Sequence, residues 1–469
     1  MGRRQELPLY QNIEIIAASA EGKSIAKIDG KVIFVPWAAP GDIVDLQVNK
    51  KKKSYLEAKI VKMHKASEQR ISPACQHFTI CGGCKWQHLP YSQQLTNKHQ
   101  QVKDHLERIG KINTQQMQPI LGANQEFYYR NKMEFTFSNM AWLTDFDKNS
   151  AYENRNMNAL GFHIPGLFDR VLNIEHCYLQ ASPSNEIRLA IKQYADAHKL
   201  SYFDIKKQNG FLRNLIIRLS STGEIMVIVV FFFENQEDRE ALLAFIIKEF
   251  PQISSLMYII NEKANDTITD QEVICYAGKD HLMEEMEGLQ FKVGPKSFYQ
   301  TNNVQAYELY KVARNFAGLS GHELVYDLYT GTGTIANFVA AKAKLVIGIE
   351  YVEEAIEDAK MNSRINKIEN TRFFAGDMVK VLDDQFIATH GKPDVIITDP
   401  PRSGMHQKVV ELLNRVRANR IVYVSCNSAT QARDLELLSE QYQVTAIQPV
   451  DMFPQTHHVE NVVLLTLKN

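Results

Sequence analysis

From about residue 295 the chain alternates short apolar, β-branched runs with stretches of helical spacing, and that alternation leaves few folds open. Runs at 323–328, 344–349, 371–375, 394–398, 420–425, 443–449 and 460–467 read as seven strands, the last two as an antiparallel return. Strands separated by helices repeat one direction, which predicts a doubly wound parallel α/β sheet covered on both faces. Ligands of such sheets sit outside the carboxyl ends of the strands. Polar stretches occupy those ends here: residues 327–334 (DLYTGTGT), 399–404 (DPPRSG) and 425–427 (SCN), with 450–460 (VDMFPQTHHVE) leading into the last strand.

Glycine at 331 and 333 lets the backbone approach a ligand closely, and a helix opening at Ile335 offers its amino end to a negative group. Glu350 ends the next run, 23 residues after Asp327, where a carboxylate accepts hydrogen bonds from ribose hydroxyls. The loop alone also fits a nicotinamide enzyme, because Ala336 is a permitted third small residue. Cys426 lies just past a strand's carboxyl end, where a thiol points at substrate. A lone Ser-Cys-Asn is as readily a buried small hydrophobe.

At 469 residues the chain has room for two to four domains, and 45% hydrophobic with 23% charged residues is ordinary for a globular protein. No apolar run reaches membrane-spanning length, and the start MGRRQELPLYQN lacks a secretory core. Glu6 stands at the myristoylation serine/threonine position, so a cytoplasmic protein is expected. Net charge is −1, yet residues 1–120 hold 18 Lys and Arg against 10 Asp and Glu. A basic front on an acidic body is a footprint for a polyanion, or a solvated surface. Within it, runs at 13–17, 24–28, 32–35, 43–48 and 55–63 read as strands of a small β-barrel. Lys50, Lys51, Lys52 and Lys53 fall in a turn between the last two, where ammonium groups meet phosphates or keep a hairpin soluble.

Six cysteines in a cytosolic chain point to metal or catalysis before disulfides. Cys81-Gly-Gly-Cys84 bends two thiols toward one ion and Cys75 supplies a third, for zinc or an iron–sulfur cluster alike. A redox dithiol is weaker, since no thioredoxin-like βαβ unit surrounds it. Cys275 reads as a buried structural thiol. Residues 92–110 have helical spacing ending on Gly110. Between 120 and 290 a mixed α+β region shows strands at 128–137, 214–219, 225–233 and 256–261 and a helix at 239–250. The polar stretch 144–158 reads as a surface loop. Arg130, Lys132 and Arg213-Asn214 fall at strand starts, as a half-exposed sheet face would also place them.

In combination these stretches resemble the RNA uracil-5-methyltransferases that use S-adenosylmethionine. The shared landmarks are the Asp-Pro-Pro-Arg loop, the Tyr423-x-Ser-Cys-Asn strand end and the late Phe453-Pro-x-Thr-x-His-x-Glu segment. The resemblance covers nearly the whole chain. Many members carry proline after the asparagine, where this chain has Ser428. The resemblance implies three parts: a TRAM barrel at 1–70, a cluster-bearing central domain at 71–290 and a methyltransferase domain at 291–469, with helix 92–110 packing on the last. It implies a [4Fe–4S] cluster on Cys75, Cys81, Cys84 and Cys177, the last within His176-Cys177. It makes Cys426 the nucleophile and Glu460 the base, raised toward neutrality by burial. Gln300, Tyr329, Gly331, Thr334, Glu350, Asp377 and Asp399 become contacts of the methyl donor. Lys50–Lys53, Arg130, Lys132 and Arg402 become RNA contacts.

TRAM and cluster together point to 23S ribosomal RNA and a monomer, with transfer RNA as the alternative. Two rivals stand beside this reading. One is amino-nitrogen methylation, for which Arg402 replaces the expected tyrosine. The other is an RNA-binding assembly factor on a methyltransferase fold, against which the intact Cys426, Glu460 and Asp399 speak.

Overall fold

The computed structural model describes residues 7–144 and 156–468, so most of the predicted loop at 144–158 lies outside the described residues. The chain divides into two compact units. One holds residues 1–126, 401–404 and 424–463; the other holds 127–400, 405–423 and 464–469.

In the first unit a six-stranded sheet comprises β1 (Leu9–Glu14), β2 (Ala17–Ala18), β3 (Lys23–Ile28), β4 (Lys31–Pro36), β5 (Ile43–Lys51) and β6 (Tyr55–Lys65). Its order is β1-β5-β6-β4-β3-β2. Period-two alternation turns Ile33 and Val35, Val44, Leu46 and Val48, and Leu56 and Ala58 into one core with Ile15 and Ala26. The first strand starts earlier than its apolar run, and its register slips between Tyr10 and Ile13. There Asn12 takes φ 53° and its N–H donates to Asp45 Oδ1 at 2.9 Å. The lysine run is also corrected. β5 extends through Lys51, Lys50 lies opposite Glu57, and their side chains pair at 3.2 Å. Two of the four lysines are therefore strand residues, and one of them sits beside a carboxylate on the exposed surface.

The second unit carries β7 (Lys132–Ser138), β8 (Ala159–Ile164), β9 (Leu167–Asn173), β10 (Leu212–Leu219), β11 (Ile225–Phe231), β12 (Ser255–Ile260) and β13 (Ile274–Gly278). Their order is β13-β12-β11-β10-β7-β8-β9. Helices Ser184–Ala197 and Gln236–Glu249 press Ile187, Ile191, Leu242 and Ile246 onto Leu215, Val227 and Val229. Arg213 at its strand start is buried. It is 3% exposed, its guanidinium bonds the carbonyls of Asn261, Lys263 and Asn265, and it lies over Phe203. Asn214 is buried as well. Cys275 is exposed on β13 rather than buried, because the edge strand leaves that face uncovered. A hairpin of β14 (Leu282–Met286) and β15 (Leu289–Val293) turns on Glu287 and Gly288, both at positive φ as a tight two-residue turn requires.

Seven further strands are β16 (Leu324–Leu328), β17 (Leu345–Glu350), β18 (Thr371–Ala375), β19 (Val395–Thr398), β20 (Arg420–Ser425), β21 (Tyr442–Val450) and β22 (Glu460–Leu467). They take the order β18-β17-β16-β19-β20-β22-β21. β18, β17, β16, β19 and β20 pair in parallel throughout. The winding reverses between β16 and β19, and that switch point opens a crevice at their carboxyl ends. No helix among the described residues is long and apolar enough to cross a membrane.

Candidate active site

In the second unit the crevice is built by the ends of β16, β17 and β19. Asp327, 1% exposed, accepts the Thr330 hydroxyl at Oδ2 (2.5 Å). Burial pushes its carboxyl up to about 7 against that bond, with the Glu350 charge adding to the rise. Asp399 follows β19, and its N–H donates to Leu328 O at 3.3 Å. Desolvation, then the Asp327 charge, push Asp399 up to about 7. Two neighbouring carboxyls that both resist ionisation mark a site tuned by its surroundings.

Between them the loop is strained where a ligand needs room. Tyr329 stands at φ 63° and Gly331 at φ 55°, and nothing lies within 4 Å of where a Gly331 Cβ would sit. Gly331 N–H donates to Glu350 Oε2 (3.2 Å), while the N–H groups of Tyr351 and Val352 hold Oε1 (2.8 and 3.1 Å). Thr334 begins the helix Thr334–Ala340 and is buried. Asp377 caps the short helix Met378–Val381 by accepting Val379 N–H at 3.0 Å, so its carboxylate has a local structural duty too. Gln300 is fixed from behind: Asn131 Nδ2 donates to its carbonyl (2.9 Å), and Asn131 N–H to Thr301 O (2.8 Å). Of the two predicted RNA contacts nearby, Lys132 is half-buried, and burial together with Arg218 lowers its ammonium pKa.

In the first unit Cys426 sits between the end of β20 and the helix Ser428–Leu438. Asn427 caps that helix, accepting Ala429 N–H at 3.1 Å, and its Nδ2 donates to Arg402 O at 3.0 Å. Thr430 Oγ1 reaches the same carbonyl (3.1 Å), which leaves the Arg402 side chain exposed above a pinned backbone. Ser428, the departure from proline, is buried and bonds His105 Nδ1 at 2.8 Å on α1 (Tyr91–Arg108). Glu460, 5% exposed, opens β22. Its neighbour Asn461 exchanges side-chain and backbone bonds with Gln431 of the helix after Cys426 (2.7 and 3.1 Å). The elements bearing the thiol and the carboxylate are thus bolted together.

Sequence reading missed a third group in this unit. Lys98 and Asp451 form an ion pair at 2.6 Å with both side chains fully buried. Tyr91 Oη donates to the other Asp451 oxygen at 2.8 Å. Gln94 exchanges two bonds with Gln455, and burial pulls the Lys98 pKa down while Asp451 holds its charge. The available signal was the i, i+4 spacing of Gln94 and Lys98 with Val102 and Leu106, a buried stripe that is half polar.

Among the described residues no three His, Cys, Asp or Glu side chains gather as a metal site. Cys75, Cys81, Cys84 and Cys177 are all half-buried, and burial raises the Cys177 thiol.

A family profile described as tRNA (Uracil-5-)-methyltransferase matches residues 219–468, and one described as TRAM domain matches residues 10–61. A Bacteroides thetaiotaomicron protein named an uncharacterized RNA methyltransferase is 60% identical over 453 residues, spanning 96% of this chain and 100% of its own. A Chlorobaculum tepidum protein of the same description is 39% identical over 430 residues, 90% of this chain and 89% of its own. Among solved structures, Pyrococcus abyssi tRNA (uracil-54, C5)-methyltransferase in complex with S-adenosyl-L-homocysteine superposes with a TM-score of 0.74. It is 28% identical and spans 97% of this chain and 100% of its own.

Proposed function

The chain belongs to the tRNA (uracil-5-)-methyltransferase family, and from that premise we propose that it methylates C5 of a uridine in folded RNA, with Cys426 as nucleophile and Glu460 as base. The observation that carries this reading is the bolting of the Cys426 helix to the Glu460 strand through Gln431 and Asn461. The crevice of the second unit suits S-adenosylmethionine: an open glycine cradle at Gly331, a carboxylate at Glu350 and the paired acids Asp327 and Asp399. Gln300, Tyr329, Thr334 and Asp377 complete the proposed contacts. When bound, S-adenosylmethionine supplies the electrophilic methyl group.

The protein's residues supply the rest. Uracil C5 is a poor nucleophile until the Cys426 thiolate adds to C6 and pushes an electron pair toward C5. Once C5 carries the methyl, Glu460 takes its proton, the C5–H electrons restore the C5=C6 double bond, and the thiolate leaves. Asp399 and Arg402 hold the base edge and its loop. The uridine must leave its stack to reach such a thiol, which favours loops of folded RNA.

Two RNAs are candidates. The TRAM–cysteine arrangement favours 23S ribosomal RNA, and the archaeal relative named for uracil-54 of tRNA favours transfer RNA. We assign a cytoplasmic monomer with an N-terminal barrel, a central domain and a C-terminal catalytic domain. Purified protein given methyl-labelled S-adenosylmethionine and both unmodified RNAs should place the label in 5-methyluridine of one of them. Label in N-methylated bases would overturn the reading. The proposed [4Fe–4S] ligation by Cys75, Cys81, Cys84 and Cys177 rests on CxxC spacing. Anaerobically purified protein should then hold about four iron and four sulfide per chain, and active protein free of iron would refute it.

A further inference from the structure

The segment that ends on Glu460 is tied down link by link. It begins at Asp451, whose two oxygens are taken by Lys98 Nζ (2.6 Å) and Tyr91 Oη (2.8 Å), both on α1. Lys98 Nζ also reaches Phe453 O at 3.0 Å, and Asp451 Oδ1 turns back to Phe453 N–H at 3.0 Å. Phe453 O then accepts Thr456 Oγ1 (2.8 Å), and Thr456 Oγ1 accepts His458 N–H (3.2 Å). Two residues later stands Glu460. In the middle, Gln455 is clamped from three sides. Gln94 Oε1 accepts its N–H at 2.9 Å, Gln94 Nε2 donates to its Oε1 at 3.0 Å, and the N–H groups of Lys85 and Trp86 converge on its carbonyl (2.8 and 3.1 Å).

Such a network is expensive to build in a fully buried place. A lysine with no exposed side-chain surface must be held by its partners, and an apolar stripe would have packed α1 more simply. What the polar stripe adds is definition: every donor and acceptor specifies where the 451–458 backbone lies. A proton-abstracting carboxylate needs that definition, because its reach to the C5 proton is one hydrogen-bond length.

We propose that Tyr91, Gln94 and Lys98 of α1 are positioning residues that set the place of Glu460 through the 451–458 segment. This rests on the reading of Glu460 as the base. That base acts after thiol addition and methylation, so a displaced Glu460 leaves methylated RNA bonded to Cys426 for longer. A merely structural role for α1 would lower folded protein and every step alike.

The test uses full-length protein with substrate RNA and methyl-labelled S-adenosylmethionine. Tyr91→Phe and Gln94→Ala are the working variants, since each keeps the buried ion pair that Lys98→Met would break. Each should lower kcat about tenfold, the worth of one or two well-made hydrogen bonds, while kcat/KM for both substrates stays within about twofold, because the slowed step follows methyl transfer. The fraction of enzyme in a denaturation-resistant, methyl-labelled RNA adduct should rise in step. Glu460→Gln runs alongside. If it accumulates adduct and the α1 variants do not, or if their loss of kcat merely tracks lost folded protein, the positioning role falls and the base stands. If Glu460→Gln turns over without accumulating adduct, the base assignment falls and takes the positioning role with it.

Discussion

Asp327 holds a proton at a pH where most carboxyls have lost theirs, and this has a sign that can be measured. Its folded pKa of about 7 lies above the ordinary 3.8 because burial penalises the charge. The folded state therefore keeps a proton that the unfolded chain gives up. This contribution is whole below about pH 4 and is lost as pH rises through about 7. Asp327→Asn removes the loss while its side-chain oxygen can still accept the Thr330 hydroxyl. Asp327→Asn protein without methyl donor should be more stable than the parent at pH 8, by on the order of 4 kcal/mol and so with a higher melting point, and alike near pH 4. A lower melting point at pH 8 would contradict the assignment. At this scale legibility followed chemistry. The places of Cys426, Asp399 and Glu350 at strand ends were readable, because unbroken apolar runs mark where parallel strands stop. Lys98 and Arg213 were not, because the sequence cannot say which polar side chain finds partners enough to be buried. Cys275 erred the other way, since an edge strand leaves half its residues uncovered.

Among the elements, the strands of the C-terminal sheet were legible almost to the residue, since parallel strands buried on both faces are unbroken apolar runs. β8, β9 and β13 were not: they carry polar or small residues, and β9 and β13 are the edge strands of their sheet. The tip of β5 and β6 shows what a charge run cannot say alone. All four lysines are exposed, and Lys50 pairs with Glu57 at 3.2 Å. Replacing Lys51, Lys52 and Lys53 by alanine should weaken RNA binding and reduce the slope of log affinity against log salt by about 2. Lys50→Ala should change that slope little, and affinity for S-adenosylmethionine should hold in both. Filter binding across a salt series reads this directly. An unchanged slope in the triple variant would make the run a solvated hairpin tip.

Across the whole molecule the charge is divided rather than absent. Net −1 conceals a first 120 residues at +8, and the TRAM match falls within them. A polyanion is thereby drawn to one part of the chain while the reacting groups are supplied by others. The central claim is the order of events at Cys426 and Glu460, and one measurement addresses it. Glu460→Gln enzyme is incubated with substrate RNA and methyl-labelled S-adenosylmethionine, denatured, and resolved by size, with Cys426→Ala beside it. The account predicts a labelled protein–RNA band with Glu460→Gln and none with Cys426→Ala. Normal turnover by Glu460→Gln, or a covalent band that persists in Cys426→Ala, would contradict it.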